Sequence, residues 1–152
     1  MKTLARADVV TELVTRLERV GPEAPRRWGT LTAGEMLCHL SDCSRSVLSG
    51  GARSGSAAPR ARPVFKWLAL YSPLRWPKGV RTRPEVDPHA RGSRPGGFER
   101  DRAAAIEGLR ALAAAPREAF SPAHSMFGLM SADDWRRWGY LHTDHHLRQF
   151  GA

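Results

Sequence analysis

Among 152 residues there are only two cysteines, two tyrosines and three lysines, and acidic residues are scarce, 15 against 24 basic ones. Each shortage excludes something. Cys38 and Cys43 are five positions apart, and on a helix they point about 140° from each other at 100° per residue. A disulfide between them is therefore out of reach, and free thiols are the expectation for a cytoplasmic protein. No apolar run approaches the length of a membrane span, so no membrane is expected as a partner. The opening MKTLARADVV places Arg6 and Asp8 where a secretory signal needs unbroken apolar residues. No segment alternates apolar and polar residues as a half-buried strand does. There is no glycine-rich phosphate loop, no paired zinc-finger cysteines and no G-x-S-x-G turn.

What remains has the composition of a globular chain, 41% hydrophobic and 26% charged. Its length suits one domain spanning residues 1–152. The net charge of +9 invites a nucleic-acid reading, but it is unevenly placed. Residues 51–97 hold ten basic and two acidic residues, while the flanking segments are nearly neutral. Twenty-one of the 24 basic residues are arginine, a bias that coding composition alone can produce.

Four segments carry helical periodicity. Leu4, Val9, Val10, Leu13, Val14, Leu17 and Val20 form one stripe over residues 4–20, ended by Gly21-Pro22 and Pro25. Thr32-Ala-Gly-Glu35 is a capping box that opens a helix from Ala33 to about Leu48, with Met36, Leu40, Cys43 and Val47 facing inward. Residues 49–63 read as a loop, and Pro63–Tyr71 as a short helix with proline in its first turn. Residues 72–97 hold five of the eleven prolines and four glycines, too irregular for helix or central strand. The alanine-rich segment from Phe98 to about Ala115 forms the next helix, ended by Pro116. The last opens at Ser131, with Asp133 and Asp134 in its first turn, and runs to about Gln149. The expected fold is all-α: a four-helix bundle with a long crossover connection and one short extra helix.

The last helix carries the chemistry. Trp135, Trp138, His142, His145 or His146, and Gln149 share one face, so a stripe that starts as core turns into imidazole. A lone inward histidine is ordinarily a hydrogen-bonded core residue. His142 and His146, at i and i+4, can instead converge on one ion. His39, between Met36 and Cys43 at helical spacing, sits on the one segment able to offer a third ligand. Three neutral imidazoles with an open position suit a divalent ion such as Zn²⁺ or Ni²⁺, whereas hard ions call for carboxylates. His145, offset by 100° from His146, belongs at the helix edge, behind the ligands or at an interface. Gln149 either bonds a ligand or seals the bundle end. Cys43 reads first as a buried small residue and second as a fourth ligand. Asp144, opposite the histidines, reads as solvated.

With these residues placed, the sequence resembles the DinB/YfiT-like superfamily of small four-helix bundles, within a bacterial branch defined as a domain of unknown function. The marks are Trp28-Gly29, Met36, His39, Pro77-Lys78-Gly79, Thr82, Pro84, Pro95, Phe98, His124, Phe127-Gly128, Trp135 and the ending His142-Thr-Asp-His-His146-Leu-Arg-Gln149-Phe150. The resemblance spans almost the whole chain. It implies a divalent metal on His39, His142 and His146, and a metal-dependent enzyme that activates a low-molecular-weight thiol (an S-transferase) or water (a hydrolase). His124 then either lines the site mouth or bonds a backbone carbonyl. Arg81 and Arg83 of the crossover can pair with an anionic small-molecule substrate or with carboxylates of the thiol. The competing reading is a non-catalytic, stress-related binding module, with nucleic-acid binding a distant third. Bundles of this kind commonly pair, and Trp135 and Trp138 offer more aromatic surface than one small core needs, so a homodimer is expected.

Overall fold

The computed structural model describes residues 1–48 and 63–152. Among them are α1 (Ala7–Arg19), α2 (Ala33–Leu48), α3 (Pro63–Tyr71), α4 (Phe98–Ala114) and α5 (Ala132–Gln149), with a two-residue pair of strands, β1 (Ala123–His124) and β2 (Gly128–Leu129). The fold is all-α, as its periodicities require. The loop expected over 49–63 lies outside the described residues except for Pro63, which opens α3. The antiparallel strand pair, joining Ala123 to Leu129 and His124 to Gly128, is too short to leave an alternating pattern in the sequence.

The starts of α2 and α5 are set by side chains. The Thr32 hydroxyl accepts from Glu35 N at 3.3 Å while a Glu35 carboxylate oxygen accepts from Thr32 N at 2.8 Å, a reciprocal cap. Ser131 and Asp134 form a second such box on α5. The first helix begins at Ala7, not at Leu4. Leu4 is nevertheless fully buried, its backbone N–H donating to the Arg136 carbonyl at 3.2 Å. Its side chain lies where Gly139 leaves room, for a Cβ on Gly139 would fall 2.7 Å from Leu4 Cδ1.

The core is built from α1 (Leu13, Leu17), α2 (Met36, Leu37, Leu40), α4 (Leu109, Leu112) and α5 (Trp135, Trp138, Leu147), with α2 lying most extensively along α4. Trp135 and Trp138 are buried in this core, so the aromatic surface expected of a pairing face is not theirs. Asp144 is not free in solvent either. It accepts from Arg16 Nη1 at 2.8 Å, tying α5 to α1.

The short α3 is held against α5 through one carboxylate. Asp134, while capping α5, accepts from Lys66 Nζ at 3.0 Å and from the Tyr71 hydroxyl at 2.6 Å. Burial pushes its pKa upward, but the hydrogen bonds from Tyr71, Ser131 and Lys66 outweigh this and hold it below the usual carboxylate range. Burial and the same bond push the Tyr71 hydroxyl up to about 12. Arg137 adds a second tie, its Nε donating to the Leu70 carbonyl at 2.6 Å. Asp134→Ala removes the carboxylate half of the capping box and the acceptor shared by half-buried Lys66 and Tyr71, although Lys66 keeps its bond to the Leu129 carbonyl. We therefore expect a loss of about 2 kcal/mol and a thermal midpoint lower by roughly 4 to 8 °C. Circular dichroism melts check this, and a loss below about 1 kcal/mol contradicts the role given to Asp134.

Candidate functional site

The site is assembled from α2, α5, the crossover and the hairpin. His39 is buried on α2 at 3% exposure. Its Nδ1 lies 2.7 Å from the Val86 carbonyl, in a single 3₁₀ turn (Pro84–Val86) of the crossover. A carbonyl only accepts, so Nδ1 carries the proton and Nε2 presents a bare lone pair. On α5, the His146 Nδ1 lies 3.0 Å from Gln149 Oε1. The Gln149 amide is oriented in turn, because its Nε2 donates to the Trp28 carbonyl at 2.8 Å. That leaves Oε1 for His146, whose own Nε2 is again bare. The close approach needs glycine next to Trp28: a Cβ on Gly29, which has φ of +77°, would fall 2.5 Å from Gln149 Nε2.

The Nε2 atoms of His39 and His142 are 3.1 Å apart. Since His39 Nε2 is an acceptor, the bond between them carries the His142 proton, in the position where a cation would sit. One ring nitrogen each from His39, His142 and His146 lies within 4.8 Å of the others. Trp138 stacks on His142 at 4.6 Å between centroids and 12° between planes, a contact that fixes χ angles and keeps water off that side.

All three imidazoles are held neutral. Burial lowers the His142 pKa well below its usual value, and the neighbouring histidines lower it further. Burial is also the main cause for His39 and for His146, which falls to about 3. A group of three histidines whose ring nitrogens come together at one point can hold a metal ion once the proton between His39 and His142 moves to the other nitrogen of His142, and its donor set fits a borderline divalent ion. Zn–N bonds of about 2.0 to 2.1 Å place tetrahedral imidazole nitrogens about 3.3 Å apart, close to the 3.1 Å seen for His39 and His142.

The other expected residues surround this point at different distances. His145 sits between Trp28 and Trp76, at 5.9 and 6.2 Å from their rings, outside the three-nitrogen group. His124, on β1, stacks on Phe127 at 4.4 Å. Its Nδ1 accepts from the Met126 N–H at 3.1 Å, in place of the backbone carbonyl contact considered for it. Burial chiefly, with help from the Arg83 charge, lowers its pKa to about 4. Cys43 Sγ lies 3.6 Å from His39 Nε2, and burial pushes this thiol up to about 12. Arg81 and Arg83 line the same cavity as the histidines, a space of about 750 Å³, and Arg83 Nη2 donates to the Ser46 hydroxyl at 3.0 Å. His89 lines it too, bonded to Glu35 at 2.9 Å.

Three contributors left no signal of their role in the sequence. The Val86 carbonyl behind His39 is backbone. Trp76 reaches over the group from the crossover, its ring 6.4 Å from His142 and its Nε1 donating to the Ala69 carbonyl at 2.7 Å. The Trp28 carbonyl acts only through Gln149.

Five depressed histidines make stability depend on pH. In the unfolded chain each imidazole takes up its proton near pH 6.5; in the folded chain His124 resists until about pH 4 and His146 until about pH 3. The stabilisation is complete above about pH 6.5 and is lost as pH falls from there toward about 3. Thermal midpoints of metal-free protein should therefore drop steadily between about pH 6.5 and 4.5, before most carboxylates titrate. A midpoint that stays level across this window contradicts the burial assigned to these rings.

A family model described as Protein of unknown function (DUF1569) matches residues 3–152. Neither the curated proteins nor the solved structures contain a significant match to the chain.

Proposed function

We propose that the chain, which belongs to the DUF1569 family of proteins of unknown function, is a DinB-like metal-dependent enzyme that holds Zn²⁺ or Ni²⁺ on His39, His142 and His146 and uses it to activate a small thiol, as an S-transferase, or water, as a hydrolase. The observation that carries this reading is the convergence of three imidazole nitrogens with the Nδ1 protons of His39 and His146 committed elsewhere. A divalent ion with one position left open lowers the pKa of a thiol or water placed there.

The chain's own residues do the rest. The Val86 carbonyl fixes the tautomer and tilt of His39, and Gln149 does the same for His146. Such partners behind the ligands govern affinity nearly as much as the ligands themselves. Trp138 holds the plane of His142, and Trp76 covers the group from the crossover side. Arg81 and Arg83 line the cavity beside it and supply positive charge for an anionic substrate. The cavity is lined by apolar and aromatic side chains, which strengthens every electrostatic contact made inside it.

Metal loading separates this reading from a non-catalytic, metal-free binding module. Chelator-treated protein dialysed against Zn²⁺ should take up one equivalent, and His142→Ala should take up none under the same conditions. Stoichiometry that is absent in the wild type, or unchanged by the substitution, overturns the assignment. Gln149→Leu keeps all three ligands and removes only the bond behind His146, so Zn²⁺ affinity should weaken by about 10- to 100-fold. Competition with a chromogenic chelator measures it, and an affinity within about twofold of wild type contradicts the role given to Gln149.

A further inference from the structure

Beside the three-histidine group, the cavity has a second chemical character. Arg75, Arg81 and Arg83 line it, and Asp87 is the one carboxylate that does so among the described residues. Asp87 is already engaged, its Oδ1 accepting from the His89 N–H at 2.9 Å. The lining itself sets three arginines against one carboxylate; among the described residues Glu85, outside the lining, lies 3.9 Å from the Arg83 Nε and offsets part of this charge. Four of the five tryptophans line the same space, together with Phe65 and Phe127. Charge and flat apolar surface therefore face one volume.

One donor in that volume is unused. His124 accepts through Nδ1 from the Met126 N–H at 3.1 Å, so its proton is on Nε2. Nε2–H has no acceptor among the described residues, though the side chain lines the cavity. Its ring is set by Phe127 on one side and by Trp135 and Trp138, at 5.6 and 5.9 Å, on others. Arg83 reaches the same region. It lines the cavity with His124 and Cys43, and with Nη2 donating to the Ser46 hydroxyl at 3.0 Å and Nε 3.9 Å from Glu85 Oε2, guanidinium donors remain for a ligand.

We propose that the cavity selects an aromatic acid, with the flat ring system against Trp76 and Phe127 and the anionic group held by the Arg83 guanidinium and the His124 Nε2–H. A neutral aromatic of equal size leaves the cationic lining and the His124 donor unmatched, whereas a small inorganic anion leaves the tryptophan surface wet. A planar, delocalised guanidinium suits carboxylate and sulfonate oxygens, which it meets with two donors at once. The proposal rests on the reading of this cavity as the ligand site beside the histidine group, and it adds the class of molecule that enters.

The test uses two fluorescent probes of similar size and opposite requirement: anilinonaphthalenesulfonate, an aromatic anion, and phenylnaphthylamine, its neutral counterpart. Both are titrated into the full chain, once stripped of metal and once reloaded with Zn²⁺. The anionic dye should bind one per chain and be displaced by naphthoate. Arg83→Met should weaken it by about tenfold, the value of a hydrogen bond to a charged group, and leave the neutral dye within about twofold. Arg83→Lys should recover part of the loss, and His124→Phe should weaken the anionic dye alone. Equal binding of the two dyes, or an anionic-dye affinity indifferent to Arg83→Met, overturns the proposal. So does loss of dye binding on Trp67→Ser, because Trp67 lies exposed on α3 outside the cavity lining. If Zn²⁺ fails to bind while the anionic dye keeps its Arg83 dependence, the metal assignment falls and this proposal stands.

Discussion

Three imidazoles can offer lone pairs to one point only if their protons are turned away from it. That constraint organises the molecule around the bond from His39 Nδ1 to the Val86 carbonyl and the chain of bonds from His146 through Gln149 to the Trp28 carbonyl. The first requires the crossover to place a 3₁₀ turn against α2. The second requires the loop before α2 to lie against the end of α5, with glycine next to Trp28. Segments distant in sequence are thus tied to the two helices that carry the ligands. Replacing either acceptor frees a ring to turn its proton inward, and a cation and a proton cannot share that place.

The helices were legible because their signals are local. The stripe from Val9 to Leu17, the Thr32–Glu35 box and Ser131 ahead of two aspartates each act within a few residues, and α1, α2 and α5 fall over the residues that those signals mark. The three histidines were legible for a related reason, since helical spacing alone puts His142 and His146 on one face and His39 beside Met36. What the sequence left unread depends on contacts between distant segments. Nothing local says that the Val86 carbonyl meets His39, that Trp76 covers the histidines, or that His124 is pinned by a hairpin of two-residue strands. Asp144 looked solvated because one of its two partners, Arg16, is on another helix, while the other, Arg148, is one turn along its own.

The net charge of +9 acquires a more limited meaning from this arrangement. Three of the arginines responsible, Arg75, Arg81 and Arg83, line a cavity shared with all six histidines. The lining they share with aromatic side chains holds one carboxylate, Asp87, among the described residues, while Glu85 pairs with Arg83 from outside it. Buried neutral histidines and partly exposed arginines divide the work by their chemistry: the first offer lone pairs, the second offer fixed charge at any physiological pH.

X-ray absorption at the zinc edge of the reloaded protein reaches the central claim most directly, because it counts and ranges the ligands without reference to any reaction. The account predicts a first shell containing three imidazole nitrogens at about 2.0 to 2.1 Å with one further light atom or sulfur, falling to two imidazoles in His39→Ala. A shell dominated by carboxylate oxygens, or one with the same imidazole count in that variant, would contradict it.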